Sequence, residues 1–203
     1  KTLIYYGSLW GSWFDWELIE KVAKSCKDIS INLIGDYAGI MEIVKKMPDN
    51  IHFLGLKKQT DLPSYLYYSD YAILPFKPDE IGKYVSPLKL FEYIAMNKPV
   101  IATTLEDIIQ YENVYSSNNS KDWINWINNG LDFDIEARNN FISNNDWYSR
   151  ISKMIDSLET SKKCDLEFYD NISIIILNYN NINVIENCID SILRYNERYK
   201  VEI

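Results

Sequence analysis

The sequence predicts an α/β fold, a Rossmann-like doubly wound parallel sheet followed by a short βα appendage. Its strand-like segments are short and apolar on both faces, as strands covered by helices on each side must be. They alternate strictly with helix-like segments, the pattern that joins parallel strands through crossover helices. The 203 residues, 47% of them hydrophobic, suffice for one sizeable core and a smaller addition.

Strands are predicted at residues 3–6, 30–34, 51–54, 71–75, 100–103 and 113–115. Between them, residues 14–27 carry Leu18, Ile19, Val22, Ala23 and Cys26 at helical spacing. Residues 40–47 and 62–68 supply the next two helices. A fourth is marked over 87–96, with Ser86 as its cap, Pro87 in its first turn and Leu88, Phe91 and Ala95 as one stripe. Residues 121–159 read as helical, broken at Asn128-Asn129-Gly130 and at Asn144-Asn145. Trp123, Trp126 and Trp147 are expected in the core, and Tyr67, Tyr68 and Tyr71 are read as packing residues. Residues 161–171 read as a linker. Beyond it lie a strand at 172–178, a helix at 184–195 and the opening of another strand at 201–203.

With strand order 3-2-1-4-5-6, a ligand lies beyond the carboxyl ends of the first and fourth strands. The loops facing that crevice are residues 7–13 and 76–86. The net charge of −8 argues against a nucleic-acid backbone as partner. Cys26, Cys164 and Cys188 form no CxxC pair and read as reduced, buried thiols of a cytoplasmic protein. His52 reads as structural or exposed rather than catalytic. The longest apolar run, 172–177, is far short of the roughly 20 residues that span a bilayer. No signal peptide is visible, and a start directly in a strand pattern reads as a piece of something longer.

Two constellations face the predicted crevice. In the first, Gly7, Ser8, Gly11 and Ser12 follow a strand and precede a helix, so backbone can approach a ligand at a helix N-terminus. This is not GxGxxG, which argues against a nicotinamide dinucleotide, and a plain tight turn is the alternative. Trp10 and Trp13 in this loop either stack on a base or sugar or pack inward. In the second, N–H groups from Ser86 to Lys89 and the Lys89 ammonium suit a diphosphate. The Glu92 carboxylate, one turn on, suits the hydroxyls of a ribose. The alternative is that Lys89 and Glu92 form a solvated helix face.

Leu74-Pro75-Phe76, the run from Ser86 to Ala95 and Lys98-Pro99-Val100-Ile101-Ala102-Thr103 stand in an order that resembles the C-terminal domain of GT-B glycosyltransferases of group 1, the GT4-like kind. The opening Tyr6-Gly7-Ser8 with Trp13-Phe14-Asp15 is similar to the teichuronic acid and exopolysaccharide type. The resemblance covers residues 1–160. It implies a nucleotide-sugar-binding domain in which Glu92 holds the ribose while Ser86, Pro87 and Leu88 lie at the diphosphate. Donor-binding residues are thus Gly7, Ser8, Ser86, Pro87, Leu88, Lys89 and Glu92; Trp10, Trp13, Glu80 and Tyr84 are candidate donor or sugar contacts. Two positions depart from the family. Tyr84 stands where many members place a sugar-contacting glutamate, for which Glu80 is the candidate substitute. The loop after the first strand lacks the usual Arg and Lys, a loss that Lys89 or Lys83 would partly offset. No catalytic residue is identified.

Residues 172–203, with Ile172-Ser173-Ile174-Ile175-Ile176-Leu177-Asn178-Tyr179-Asn180, resemble the truncated start of a GT-A (family 2) glycosyltransferase. A divalent metal belongs only to the missing remainder of that domain, and no cofactor is expected here. The implied function is that of a glycosyltransferase fragment of hexosyltransferase type. It binds a UDP- or GDP-sugar for transfer to a cell-surface polysaccharide or glycolipid and is inactive alone. The alternatives are an epimerase-like enzyme or a non-catalytic docking module. A bacterial, cytoplasmic protein is expected, at the periphery of the inner membrane in full length, with homodimerisation through the Ile-rich appendage.

Overall fold

Six strands form one wholly parallel sheet in the order β3-β2-β1-β4-β5-β6: β1 (Thr2–Tyr6), β2 (Ser30–Ile34), β3 (Ile51–Gly55), β4 (Tyr71–Leu74), β5 (Val100–Ala102) and β6 (Val114–Ser116). The computed structural model describes residues 1–78, 86–161, 171–173, 189–190, 193–194 and 200–202. All six predicted strands are present, in the predicted order. The chain divides into two compact units, Lys1–Arg150 and Ile151–Ile203.

The helices follow from local chemistry. In α1 (Trp16–Ser25) the Asp15 carboxylate accepts the Leu18 N–H at 2.9 Å, while Glu17 and Lys24 sit at the dipole ends that favour their charges. Its apolar stripe, Leu18, Ile19, Val22 and Ala23, is buried as the spacing required. The second helix is shorter than predicted: a 3-10 turn, Ala38–Ile40, leads into α2 (Met41–Val44). Then come α3 (Leu62–Tyr67), α4 (Lys89–Ala95), α5 (Ser120–Asn129), α6 (Ile135–Asn145) and α7 (Trp147–Ser161). The breaks fall at the predicted places. Gly130 ends α5 with φ of +92°, and Asp146 separates α6 from α7. Asn119 and Asp134 cap α5 and α6 by accepting the N–H groups of Lys121 and Ala137.

Four expectations are corrected. Helix α4 begins at Lys89, and the position before it is Leu88, so Ser86 is not its cap. The chain enters the helix through tighter bonds, with the Pro87 and Leu88 carbonyls accepting the N–H groups of Leu90 and Phe91. Its buried face is accordingly Leu90, Tyr93 and Ile94 rather than Leu88, Phe91 and Ala95. Leu88 is 78% exposed, and Phe91 stacks on Phe141 of α6 instead of the sheet. Trp123 is fully buried, its indole N–H donating to the Ser117 carbonyl, and Trp126 is half-buried against Tyr115. Trp147, however, is 81% exposed at the start of α7. Tyr67 and Tyr68 are also exposed and meet edge to face, because Leu66 takes the core position at the end of α3. Tyr71, one strand start later, is buried as predicted.

Cys26 is buried and His52 exposed. Cys164 and Cys188 lie outside the described residues. In the second unit β7 (Asn171–Ser173) pairs in parallel with β8 (Lys200–Glu202), and helical residues 189–190 and 193–194 fall between them in sequence. Residues 174–178 of the predicted strand and most of the predicted linker lie outside the described residues. No described helix is long and apolar enough to cross a membrane.

Candidate functional site

The site begins where the sheet splits. Strand β1 pairs with β2 as far as Tyr6 opposite Ile34, but with β4 only as far as Ile4 opposite Ala72. Beyond that point β1 and β4 part, and the opening is filled by side chains from α4. Neighbouring strand residues point to opposite faces. Tyr5 and Tyr6 therefore reach different parts of the same helix.

Tyr5 serves the cation. Its ring is fully buried, edge to face with Phe14 at 5.1 Å and Phe76 at 6.1 Å. Its hydroxyl donates to the Ser8 carbonyl at 2.9 Å and accepts from the Lys89 ammonium at 3.2 Å. The same ammonium stands 4.6 Å from the Tyr5 ring centre and 5.4 Å from that of Phe76, close enough for cation–π attraction. Burial pushes the Lys89 pKa down to about 8, with the Glu92 charge pulling the other way. Gly7 covers this cage. Its φ is +141°, and a Cβ there would stand 2.5 Å from the Lys89 nitrogen. Gly35 is required for a similar reason, since a Cβ would fall 2.0 Å from the Gly7 carbonyl oxygen.

Tyr6 serves the carboxylate. Its hydroxyl donates to Glu92 Oε2 at 2.6 Å. Its ring meets Tyr93 edge to face at 4.9 Å, and the Tyr93 hydroxyl accepts the Tyr6 N–H at 3.2 Å. Burial, then the hydrogen bond and charge of Glu92, push the Tyr6 phenol well above its ordinary pKa, so it remains a donor. Glu92 itself is exposed at the crevice.

The loop after β1 is tied to the exit of β4. The Asp15 N–H donates to the Pro75 carbonyl at 2.8 Å and the Lys77 N–H to the Trp13 carbonyl at 2.7 Å. Trp13 is half-buried, edge to face with Phe76 at 5.0 Å, and it lies so close over Gly11 that a Cβ there would meet its indole. Trp10 points outward and is 60% exposed.

Of the predicted site residues, Gly7, Ser8 and Lys89 thus meet in one cage, with Glu92 one turn away. Ser86 and Leu88 are exposed and Pro87 is buried at the entry to α4. Trp13 is drawn into packing; Trp10 is available. Glu80, Lys83 and Tyr84 lie outside the described residues. Tyr5, Tyr6 and Tyr93 were missed as site residues. Their signal is a strand ending in two polar-tipped tyrosines where a purely structural strand needs only aliphatic residues. Chemically, the arrangement sets a partly desolvated cation and an exposed carboxylate side by side, suited to an anion joined to a group with hydroxyls. Among the described residues no cluster of three or more His, Cys, Asp or Glu could hold a metal ion.

The family described as "Glycosyl transferases group 1" matches residues 1–129. The "Putative teichuronic acid biosynthesis glycosyltransferase TuaH" of Bacillus subtilis (strain 168) is 28% identical over 105 residues, which is 50% of this chain and 26% of TuaH. Among solved structures, a glycosyltransferase of Rickettsia africae superposes with a TM-score of 0.62 at 19% identity, over 81% of this chain and 48% of that one. HepE (Alr3699) of Anabaena, solved with UDP and glucose, gives 0.59 at 16% identity, over 78% and 48%. The chain therefore spans about a quarter of this curated relative and about half of each of these solved proteins. With the family match covering most of the first unit, and a six-stranded parallel sheet of the GT-B Rossmann-like kind beneath it, the chain belongs to the group 1 glycosyltransferases.

Proposed function

We propose that this chain is the donor-binding half of a glycosyltransferase and takes a nucleoside-diphosphate sugar at the split between β1 and β4. One observation carries the proposal: Lys89 and Glu92, one turn apart on α4, are both held by the end of β1. In this reading the Lys89 ammonium and the N–H groups of the α4 entry meet the diphosphate, and Glu92 accepts hydrogen bonds from the ribose. A cation whose hydration is already reduced acts on a departing diphosphate more strongly than one in bulk water. In the same reading Gly7 and the Ser8 backbone border the diphosphate, and the exposed Trp10 stacks on the base or sugar. The UDP and glucose in HepE support a nucleotide sugar as ligand, and the teichuronic acid biosynthesis named for TuaH supports a cell-surface polysaccharide as the acceptor's class.

The acceptor site belongs to the part of such enzymes that this chain does not span, so the chain binds donor without turning it over. Homodimerisation through residues 172–203 belongs to the same proposal and rests on their Ile-rich sequence.

Calorimetric titration with UDP, GDP and their sugars tests the site. Glu92→Ala is expected to weaken nucleotide binding by about ten- to a hundredfold, the worth of hydrogen bonds to a charged acceptor. Unchanged affinity in Glu92→Ala would overturn the ribose role and favour a docking surface instead.

A further inference from the structure

An exposed glutamate has three freely turning side-chain bonds, and fixing them when a ligand arrives carries an entropic cost. Glu92 is not left to meet that cost on ligand arrival. The Tyr6 phenol that holds Oε2 is itself immobile: its residue is only 7% exposed. Its ring leans on the fully buried Tyr93, and its backbone N–H is taken by the Tyr93 hydroxyl. The link from β1 to the carboxylate is thus a closed arrangement of two rings and two hydrogen bonds. At 2.6 Å, the phenol–carboxylate contact is of the short, charge-assisted kind.

We propose that Tyr6 is a positioning residue that locks the Glu92 carboxylate with Oε1 turned towards the 2′-hydroxyl of a ribose, and thereby sets a preference for ribonucleotides over deoxyribonucleotides. This rests on the donor-binding reading above. Tyr6 touches no ligand in this scheme. It acts by holding one carboxylate oxygen so that the other is presented in a single orientation.

The test compares UDP with 2′-deoxy-UDP by calorimetry on the wild-type chain, Tyr6→Phe, Glu92→Ala and the double variant. The wild type is expected to prefer UDP by about tenfold, one hydrogen bond to a charged group. Tyr6→Phe keeps the ring against Tyr93, so its fold and thermal midpoint should change little. It should lose affinity for UDP, hold nearly all its affinity for 2′-deoxy-UDP, and so narrow the preference to about threefold or less. In the Glu92→Ala background the same substitution should have no further effect, since the group it positions is gone. Equal weakening of both ligands by Tyr6→Phe would mark a merely structural residue and overturn the proposal, as would an unchanged preference. A preference that survives Glu92→Ala would remove the ribose reading itself, whereas a preference lost in Glu92→Ala but kept in Tyr6→Phe removes only the role of Tyr6. Should Tyr6→Phe fail to fold, Tyr93→Phe, which frees the Tyr6 N–H but keeps both rings, must lower the preference in the same direction or the proposal falls.

Discussion

Lys89 and Glu92 stand on one short helix and are gripped by adjacent tyrosines of one strand, yet their surroundings are opposite. The ammonium lies between the rings of Tyr5 and Phe76 with Gly7 as its cover, and loss of hydration lowers its pKa to about 8. The carboxylate stands exposed and keeps its hydration, with one buried phenol fixing its direction. The cation is tuned by burial and the anion by orientation. Strand alternation makes this division: successive residues of β1 reach the helix from different sides of the sheet.

Gly7→Ala is the severest way to break the cationic end alone. The new Cβ would sit 2.5 Å from the Lys89 nitrogen, on backbone held at a φ of +141° that side chains rarely adopt. Either the ammonium leaves its cage or the loop shifts, and the strained backbone alone costs about 1–3 kcal/mol. The expected outcome is a clear fall in thermal midpoint and at least tenfold weaker UDP binding. The ratio of UDP to 2′-deoxy-UDP affinity, which reports the Glu92 end, should stay as in the wild type. A collapsed ratio would show that the two ends are not separable.

Lys89→Met has a smaller effect and one of mixed sign. The folded-state pKa of about 8 lies below the ordinary 10.5, so between these values the unfolded chain binds more protons. Stability of the wild type therefore rises as pH climbs from about 8 to 10.5, and at neutral pH the buried charge costs on the order of 2–3 kcal/mol, less what the cation–π contacts return. Methionine removes that cost, so at pH 7 the thermal midpoint should rise while UDP affinity falls. The wild type should lose UDP affinity as pH passes through 8 and the ammonium discharges. In Lys89→Met that decline should be absent and the rise in stability above pH 8 smaller, what remains coming from Lys98, whose pKa burial also lowers. Denaturation and titration series from pH 6 to 10 would read both.

Much of the fold was legible because its signals are local. Runs such as Leu3-Ile4 and Tyr71 to Leu74 are apolar on both faces, and turns bound them, so strand positions and then strand order follow. Gly130 and the Asn144-Asn145 pair end helices for backbone reasons readable in the residues themselves. The phase of α4 was not readable. Leu88, Leu90, Phe91, Tyr93, Ile94 and Ala95 leave almost no polar side, and only the helix start at Lys89 decides which of them meet the sheet. Trp147 misled for a related reason: size and apolarity do not say whether a partner surface lies opposite. Within the site, Gly7, Lys89 and Glu92 could be named from their places around the switch point. The grip of Tyr6 on Glu92 joins residues 86 apart in sequence, and no local pattern announces such a bond.

The finest probe of the comparison is Tyr5→Phe, the counterpart of the substitution at Tyr6. It deletes the hydroxyl between the Lys89 ammonium and the Ser8 carbonyl but leaves both aromatic faces around the ammonium in place. The cost to stability should be about 1 kcal/mol, that of a typical buried hydrogen bond. UDP should bind only two- to fivefold more weakly, because the rings still hold the cation near its place. Uridine, which lacks the phosphates, should bind as before, and the preference for ribose should not move. If Tyr5→Phe instead altered the ribose preference, the two tyrosines would be acting as one unit. If it weakened uridine as much as UDP, Lys89 would not be reading phosphate, and the division between a buried cation for the diphosphate and an oriented carboxylate for the sugar ring would have to be given up.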